Sequence, residues 1–241
     1  HSLGAMPRSV EKRIHDYVSI WAREGVGAWE KDWWDLPIRT GNEIAPLLGA
    51  GDGEVAMMPN VSLAQATVLS SIPFSTARDK IVMTALDFPS VRYVFDSLAP
   101  RFGARVEVVP SDDGISIAEQ RIIDAIDDRT ALVAISHVLF RSAYIMDVAA
   151  ICAKAKKVGA RVSLDSFHAV GTLPLDVHAI GVDFMSGGVL KWLCGGPGGC
   201  FLYVSPSART ELKPAITGWQ AHAKPFEFAG EMDYADGIWG W

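Results

Sequence analysis

Strand-like and helix-like segments alternate through most of this chain, and that alternation limits the folds open to it. Residues 81–84, 105–109, 131–135, 161–164 and 200–204 are short and β-branched or apolar. Residues 63–71, 90–98, 117–126 and 147–158, lying among them, read as helices. A strand followed by a helix and another strand builds a parallel sheet, so the expected class is α/β, with a mostly parallel (mixed) sheet flanked by helices. In such sheets ligands collect outside the carboxyl ends of the strands. Asp165 stands at one such end and is a site candidate on architecture alone.

Ahead of the alternating region, Pro7 suits a first helical turn, and Val10, Ile14, Tyr17, Val18 and Trp21 follow helical spacing. Residues 7–24 are therefore expected to form an amphipathic helix. Trp29, Trp33 and Trp34 fall in a loop-like stretch ending at Pro37, a cluster better suited to a core or subunit interface than to a ligand cage. The expected division is an N-terminal helical segment, 1–40, and a large α/β domain, 41–241. Because the sequence opens on His1 and stops at Gly240-Trp241, it is expected to be part of a longer protein.

Composition excludes several function classes. With 241 residues, 49% hydrophobic and 21% charged, the chain can bury one large core and is not globally disordered. Its net charge of −6 is spread along the sequence, with no basic stripe for nucleic acid. Cys152, Cys194 and Cys200 make an odd set without paired metal spacing, so neither a disulfide framework nor a metal site is expected. No apolar run approaches about 18 residues, so no membrane span is expected. Without a signal-peptide pattern in the first residues, a cytoplasmic location is the default.

The chemistry is concentrated around Lys191. That lysine lies in the apolar run Val189-Leu190-Lys191-Trp192-Leu193, where burial would lower its pKa and favour a neutral amine, unless it snorkels from a strand end. Asp165 precedes it in Asp165-Ser166-Phe167-His168, and a Gly-rich stretch, Gly195 to Gly199, follows. A nucleophilic lysine, an acid at a strand end and a histidine three residues on are parts that a pyridoxal phosphate (PLP) enzyme needs. Asp165 could hold the pyridinium proton or simply cap a helix; His168 could approach the phenolic oxygen or be structural. The phosphate candidate is Met58-Pro59-Asn60-Val61-Ser62-Leu63, whose helix-start N–H groups and Ser62 hydroxyl suit an anion, though an ordinary cap has the same sequence. Phe88, in Asp87-Phe88-Pro89-Ser90, could stack on the pyridine or pack in the core. The glycine loop is not a Walker A loop, because no Gly-Lys-Ser/Thr follows, and reads as a tight connection into the next strand.

Together these segments resemble the class V branch of fold-type I PLP enzymes, and kynureninases in particular. The similar segments are His1-Ser2-Leu3-Gly4, Met58 to Ser62, Phe88-Pro89-Ser90, Asp165 with His168, Lys191 ahead of its glycine loop, and Gly218-Trp219 with His222. The resemblance implies a fold-type I large domain and PLP as cofactor, with Lys191 and Asp165 catalytic. It implies cofactor contacts from Val61, Ser62, Phe88, Ser90, Ser136, Asp165, His168 and Lys191. It also implies a homodimer with the site at the subunit interface, where Trp219 reaches the neighbouring subunit's phosphate. Three departures stand out: Val91 replaces the acid after Phe-Pro-Ser, Leu190 replaces the tyrosine before the lysine, and the C-terminal small domain with its carboxylate-binding arginine does not follow. The implied reaction is hydrolysis of the amino acid L-kynurenine to anthranilate and L-alanine. The alternatives are another class V activity (aminotransfer, cysteine desulfuration or epimerisation) or a non-catalytic scaffold of the same fold.

Overall fold

The computed structural model describes residues 3–241, so His1 and Ser2 of the N-terminal similarity lie outside the described residues. The first helix, α1 (Val10–Glu24), is amphipathic as its spacing predicts, yet none of its residues is buried. The tryptophan stretch is not a loop. It forms a 3-10 turn at Gly25–Gly27 and a π-helical turn at Trp29–Trp33. Trp29 meets Trp33 with centroids 6.0 Å apart, because helical residues about four apart share a face, and Tyr17 of α1 stacks on Trp33 at 5.0 Å.

The helix α2 (Leu36–Leu48) follows and runs across the expected division at residue 40. Its two prolines and its glycine conceal it in sequence. Pro37 sits in the first turn, where no N–H is needed, and Pro46 lies near the end. Gly41 is there for space: a Cβ would lie 2.1 Å from the carbonyl oxygen of Val55. Alanine gains about 1 kcal/mol in helix propensity over glycine. Overpacking against backbone that cannot move aside costs about 1–3 kcal/mol. Gly41→Ala is therefore expected to destabilise the protein, seen as a lower urea midpoint with an unchanged slope.

Seven strands form one sheet: β1 (Val55–Met58), β2 (Lys80–Thr84), β3 (Arg105–Val109), β4 (Thr130–Ser136), β5 (Arg161–Asp165), β6 (Phe184–Gly188) and β7 (Cys200–Val204), in the order β1-β7-β6-β5-β4-β2-β3. Only β7 runs against the rest, pairing antiparallel with both β1 and β6. This is the mixed, mostly parallel sheet that the alternation predicts. Strands β1 and β6 go unrecognised in sequence. β1 is four residues long, and β6 ends in Ser-Gly-Gly, which reads as a turn.

The remaining helices are α3 (Val61–Ser71), α4 (Pro89–Leu98), α5 (Glu119–Ala125), α6 (Val148–Lys157), α7 (Val177–Ile180) and α8 (Pro206–Glu211). They cover both faces of the sheet. Ile44, Leu48, Ile122, Ile151 and Val177 pack on one face with Val82, Val133, Phe201 and Tyr203. Ala64, Val68, Val91, Phe95 and Ala208 pack on the other with Ile81, Met83, Leu202 and Val204. Neighbouring strand residues thus serve opposite cores, as the period of two requires, and the strands are buried on both sides. Among the described residues, no helix is long and apolar enough to cross a membrane.

Candidate active site

A cavity of about 550 Å³ opens at the carboxyl ends of the central strands. Its floor is set by register. Ser136, the last residue of β4, lies beside Asp165, the last of β5, and Asp165 beside Ser186 of β6. The cavity is lined by Val61, Ser62, Phe88, Ser90, Ser136, Asp165, His168 and Lys191, eight of the nine residues expected from sequence. The ninth, Trp219, is elsewhere. Its ring packs on Trp34, with centroids 5.0 Å apart, and its Nε1 donates to the Pro225 carbonyl at 2.5 Å. Trp219 lines a separate aromatic groove with Trp29, Trp239 and Trp241.

Asp165 is buried, and one carboxylate oxygen accepts from the Phe167 N–H at 2.9 Å. Burial raises its pKa to about 6, the Asp87 charge adds to that, and the Phe167 N–H and Lys191 work against it. Lys191 Nζ lies 2.5 Å from His168 Nε2 and 4.7 Å from the centroid of the Phe167 ring. Burial lowers the lysine's pKa, and nearby Asp165 partly opposes this. Burial, and then the charge of Lys191, push His168 down to about 4. His168 is thus neutral at physiological pH and accepts from Nζ. The result is an amine with reduced proton affinity beside a neutral imidazole, above a buried acid.

The far wall is the start of α3. Asn60 caps that helix, its side-chain oxygen accepting from the Leu63 N–H at 2.9 Å. This leaves the first-turn N–H groups of Val61 and Ser62, two residues that line the cavity, with no protein acceptor among the described residues. The helix is anchored from beneath: buried Gln65 donates to Ser186 Oγ at 2.9 Å and accepts from Ser163 Oγ at 3.0 Å. Helix α3 is thereby tied to β5 and β6, the strands that carry the acid and lead to the lysine.

Sequence reasoning missed several parts. Phe167 and Phe140 line the cavity, and Phe140 meets Phe88 edge-on with centroids 5.1 Å apart. Phe167 lies inside the Asp-x-x-His segment, but only the fold shows its partner. A Cβ on Gly188 would stand 1.9 Å from the Phe167 ring. Gly188→Ala is therefore expected to cost about 1–3 kcal/mol in urea unfolding, and the same change made on top of Phe167→Ala should cost almost nothing. Gly198 and Gly199 also line the cavity, so the glycine loop does more than connect strands. Val91, where the resembled family has an acid, lies on the buried face of α4, in the core. Leu190 lines the cavity, and its carbonyl accepts from the Gly4 N–H at 2.7 Å. The N-terminal segment thus crosses the lysine loop at Gly4, where a Cβ would stand 2.2 Å from the Lys191 carbonyl oxygen.

A second cleft, of about 650 Å³, lies near the start of β5. Arg161 in its wall donates to Asp183 at 2.7 Å and also pairs with Glu211.

The sheet order and the lysine-bearing cavity define an α/β enzyme-type scaffold with its site at the strand ends. Residues 7–230 match aminotransferase class-V, and the chain belongs to that family. It is similar to the kynureninase of Burkholderia pseudomallei (strain K96243), 30% identical over 246 residues that cover 99% of this chain and 58% of the relative. It is also similar to the uncharacterized aminotransferase YcbU of Bacillus subtilis (strain 168), 33% identical over 231 residues, 95% of this chain and 60% of that protein. The chain therefore spans less than two thirds of the length of these relatives. Among solved structures, a C-DES variant with glycine covalently linked to its PLP cofactor shares the fold with a TM-score of 0.83 at 21% identity, covering 98% of this chain and 63% of that one. The cysteine desulfurase CsdA of Escherichia coli superposes with a TM-score of 0.80 at 18% identity, covering 98% and 60%.

Proposed function

We propose that the chain is the cofactor-binding part of a PLP-dependent enzyme that acts at the α-carbon of an amino acid. The observation that carries this reading is the single cavity shared by Lys191, Asp165, Phe88 and the uncapped N–H groups of Val61 and Ser62. Each meets a different demand of the cofactor, and they come from four different segments. The fit is chemical as well as spatial: the buried carboxylate has an oxygen to spare for a ring N–H, and the helix start offers free donors to a phosphate.

When bound, PLP supplies an aldehyde for covalent attachment and a ring that withdraws electrons from the substrate's α-carbon. Lys191 anchors the group through Nζ, and the same nitrogen takes the substrate's α-proton. Its lowered pKa keeps more of the amine unprotonated at working pH. Asp165 holds the proton on the ring nitrogen. His168, neutral, orients Nζ by accepting from it. Phe88 would cover one ring face, while Val61, Ser62, Ser90 and Ser136 ring the cavity with donors. Trp219, half exposed in its aromatic groove, would serve the site of a second copy in a homodimer.

The finer reading is a kynureninase-like hydrolase that releases anthranilate and L-alanine from L-kynurenine, supported by the 30% identity to a kynureninase over nearly the whole chain. Leu190 favours a second reading, because a leucine beside the lysine can donate no hydrogen bond. Under that reading the enzyme carries out another class V reaction, such as aminotransfer. The test is to add PLP to the full-length protein, record its visible spectrum, reduce with borohydride and map the peptides. A pyridoxyl group on Lys191 is expected, and its absence there would sink the proposal. Fluorescent anthranilate from L-kynurenine then selects the hydrolase, whereas a keto acid selects aminotransfer.

A further inference from the structure

The acid ahead of Phe88 has no place in the mechanism above, yet it is among the most buried charged groups in the chain. Asp87 is 6% exposed. One carboxylate oxygen accepts from the Thr84 N–H at 2.7 Å, and the other accepts from the Ser136 N–H, also at 2.7 Å. Thr84 and Ser136 are the last residues of β2 and β4. The register between these strands runs from Lys80↔Thr130 to Val82↔Val133, and both strands continue beyond it. The carboxylate therefore bridges two strand ends past the point where their own pairing stops. Ser136 lines the cavity on one side of this bridge, and Phe88, the next residue after Asp87, lines it on the other.

We propose that Asp87 is a positioning residue: its carboxylate clips the ends of β2 and β4 together and so fixes the separation of the Phe88 and Ser136 walls. The arrangement suits a carboxylate and no other side chain of that size. Asparagine keeps one acceptor but turns an NH₂ group toward the second backbone N–H, and leucine accepts nothing. Burial raises the Asp87 pKa, and its charge acts on Asp165 in turn. A desolvated acid is kept here at a cost, which a merely decorative turn residue would not require.

This inference rests on the PLP reading, and the test separates the two. PLP-loaded wild type and Asp87→Asn are compared by far-UV circular dichroism, by the visible circular dichroism of the bound cofactor and by PLP affinity from fluorescence quenching. The expected result is unchanged far-UV dichroism, an altered visible band and roughly tenfold weaker PLP binding. A folded Asp87→Asn protein with the wild-type visible band and affinity would overturn the proposal. If that variant does not fold, amide hydrogen exchange on the wild type without PLP decides. Slow exchange at Thr84 and Ser136 is expected, and fast exchange at either refutes the clip. A wild type that gives no cofactor spectrum defeats the PLP reading instead, and the exchange measurement still judges Asp87.

Discussion

Lys191→Ala is expected to eliminate the borohydride-fixed pyridoxyl label and to lower turnover by roughly 10³-fold or more, because under the proposed function one side chain would supply both the covalent anchor and the base. Among the described residues, no other lysine lines the cavity. The loss should be chemical and not structural. Among the described residues, Nζ makes one side-chain hydrogen bond, to His168, and otherwise lies over the Phe167 and Phe88 rings at 4.7 and 5.8 Å. The thermal midpoint is expected to move little. A second signature separates loss of the lysine from general damage. The charge of Lys191 helps hold the His168 pKa near 4, so the His168 titration, followed by NMR, should move up in the variant. A label that persists at another residue would show that Lys191 is not the anchor.

Asp165→Asn is expected to divide stability from function. The folded carboxyl is raised from the ordinary 3.8 to about 6, chiefly by burial. Between those values the folded chain holds a proton that the unfolded chain has released. The contribution of this group to stability is therefore fully present below pH 4 and is lost as the pH climbs through about 6, where the carboxylate becomes charged inside the protein. The gap corresponds to about 3 kcal/mol at pH 7. Asparagine keeps an oxygen for the Phe167 N–H and carries no charge. The cofactor-free variant should therefore melt higher than wild type at pH 8 and not at pH 4. It cannot keep a proton on the ring nitrogen by charge, so turnover should fall roughly 10²-fold or more. Thermal melts at the two pH values, together with rates of the full-length enzyme, check both parts. A variant no more stable than wild type at pH 8 would mean that the buried charge is compensated within the cavity.

Both residues stand out in the sequence for the same reason: they break the local pattern. A lysine inside Val-Leu-Lys-Trp-Leu and an acid closing Arg-Val-Ser-Leu-Asp are polar groups where the surroundings predict burial, and unpaired buried charge has to be justified by function. Phe88, Ser90, Val61 and Ser62 are legible more faintly, because helix starts and Phe-Pro turns occur in many settings. Asp87 and Phe167 were on view in the same segments and carried no signal. Their partners, Ser136 and Gly188, are many residues away, and only strand pairing brings them together. Trp219 shows the opposite case: a clear sequence landmark that a single chain leaves in its own aromatic groove.

What the sequence determined by itself is local and periodic. The alternation of short apolar strands with helices required a mostly parallel sheet, because each connection must carry a helix across its face. Sheet order could not be read this way. Strand β1 lies next to β7, nearly 150 residues later, since edge position depends on which faces remain to be covered and not on any single segment. Tertiary structure alone decided the cavity's dimensions. They are set by the Ser136–Asp165 register, the Asp87 bridge and the absence of a Cβ at Gly188. Each is a contact between distant segments at ångström tolerance, and close packing resolves such contacts only once the whole sheet has formed.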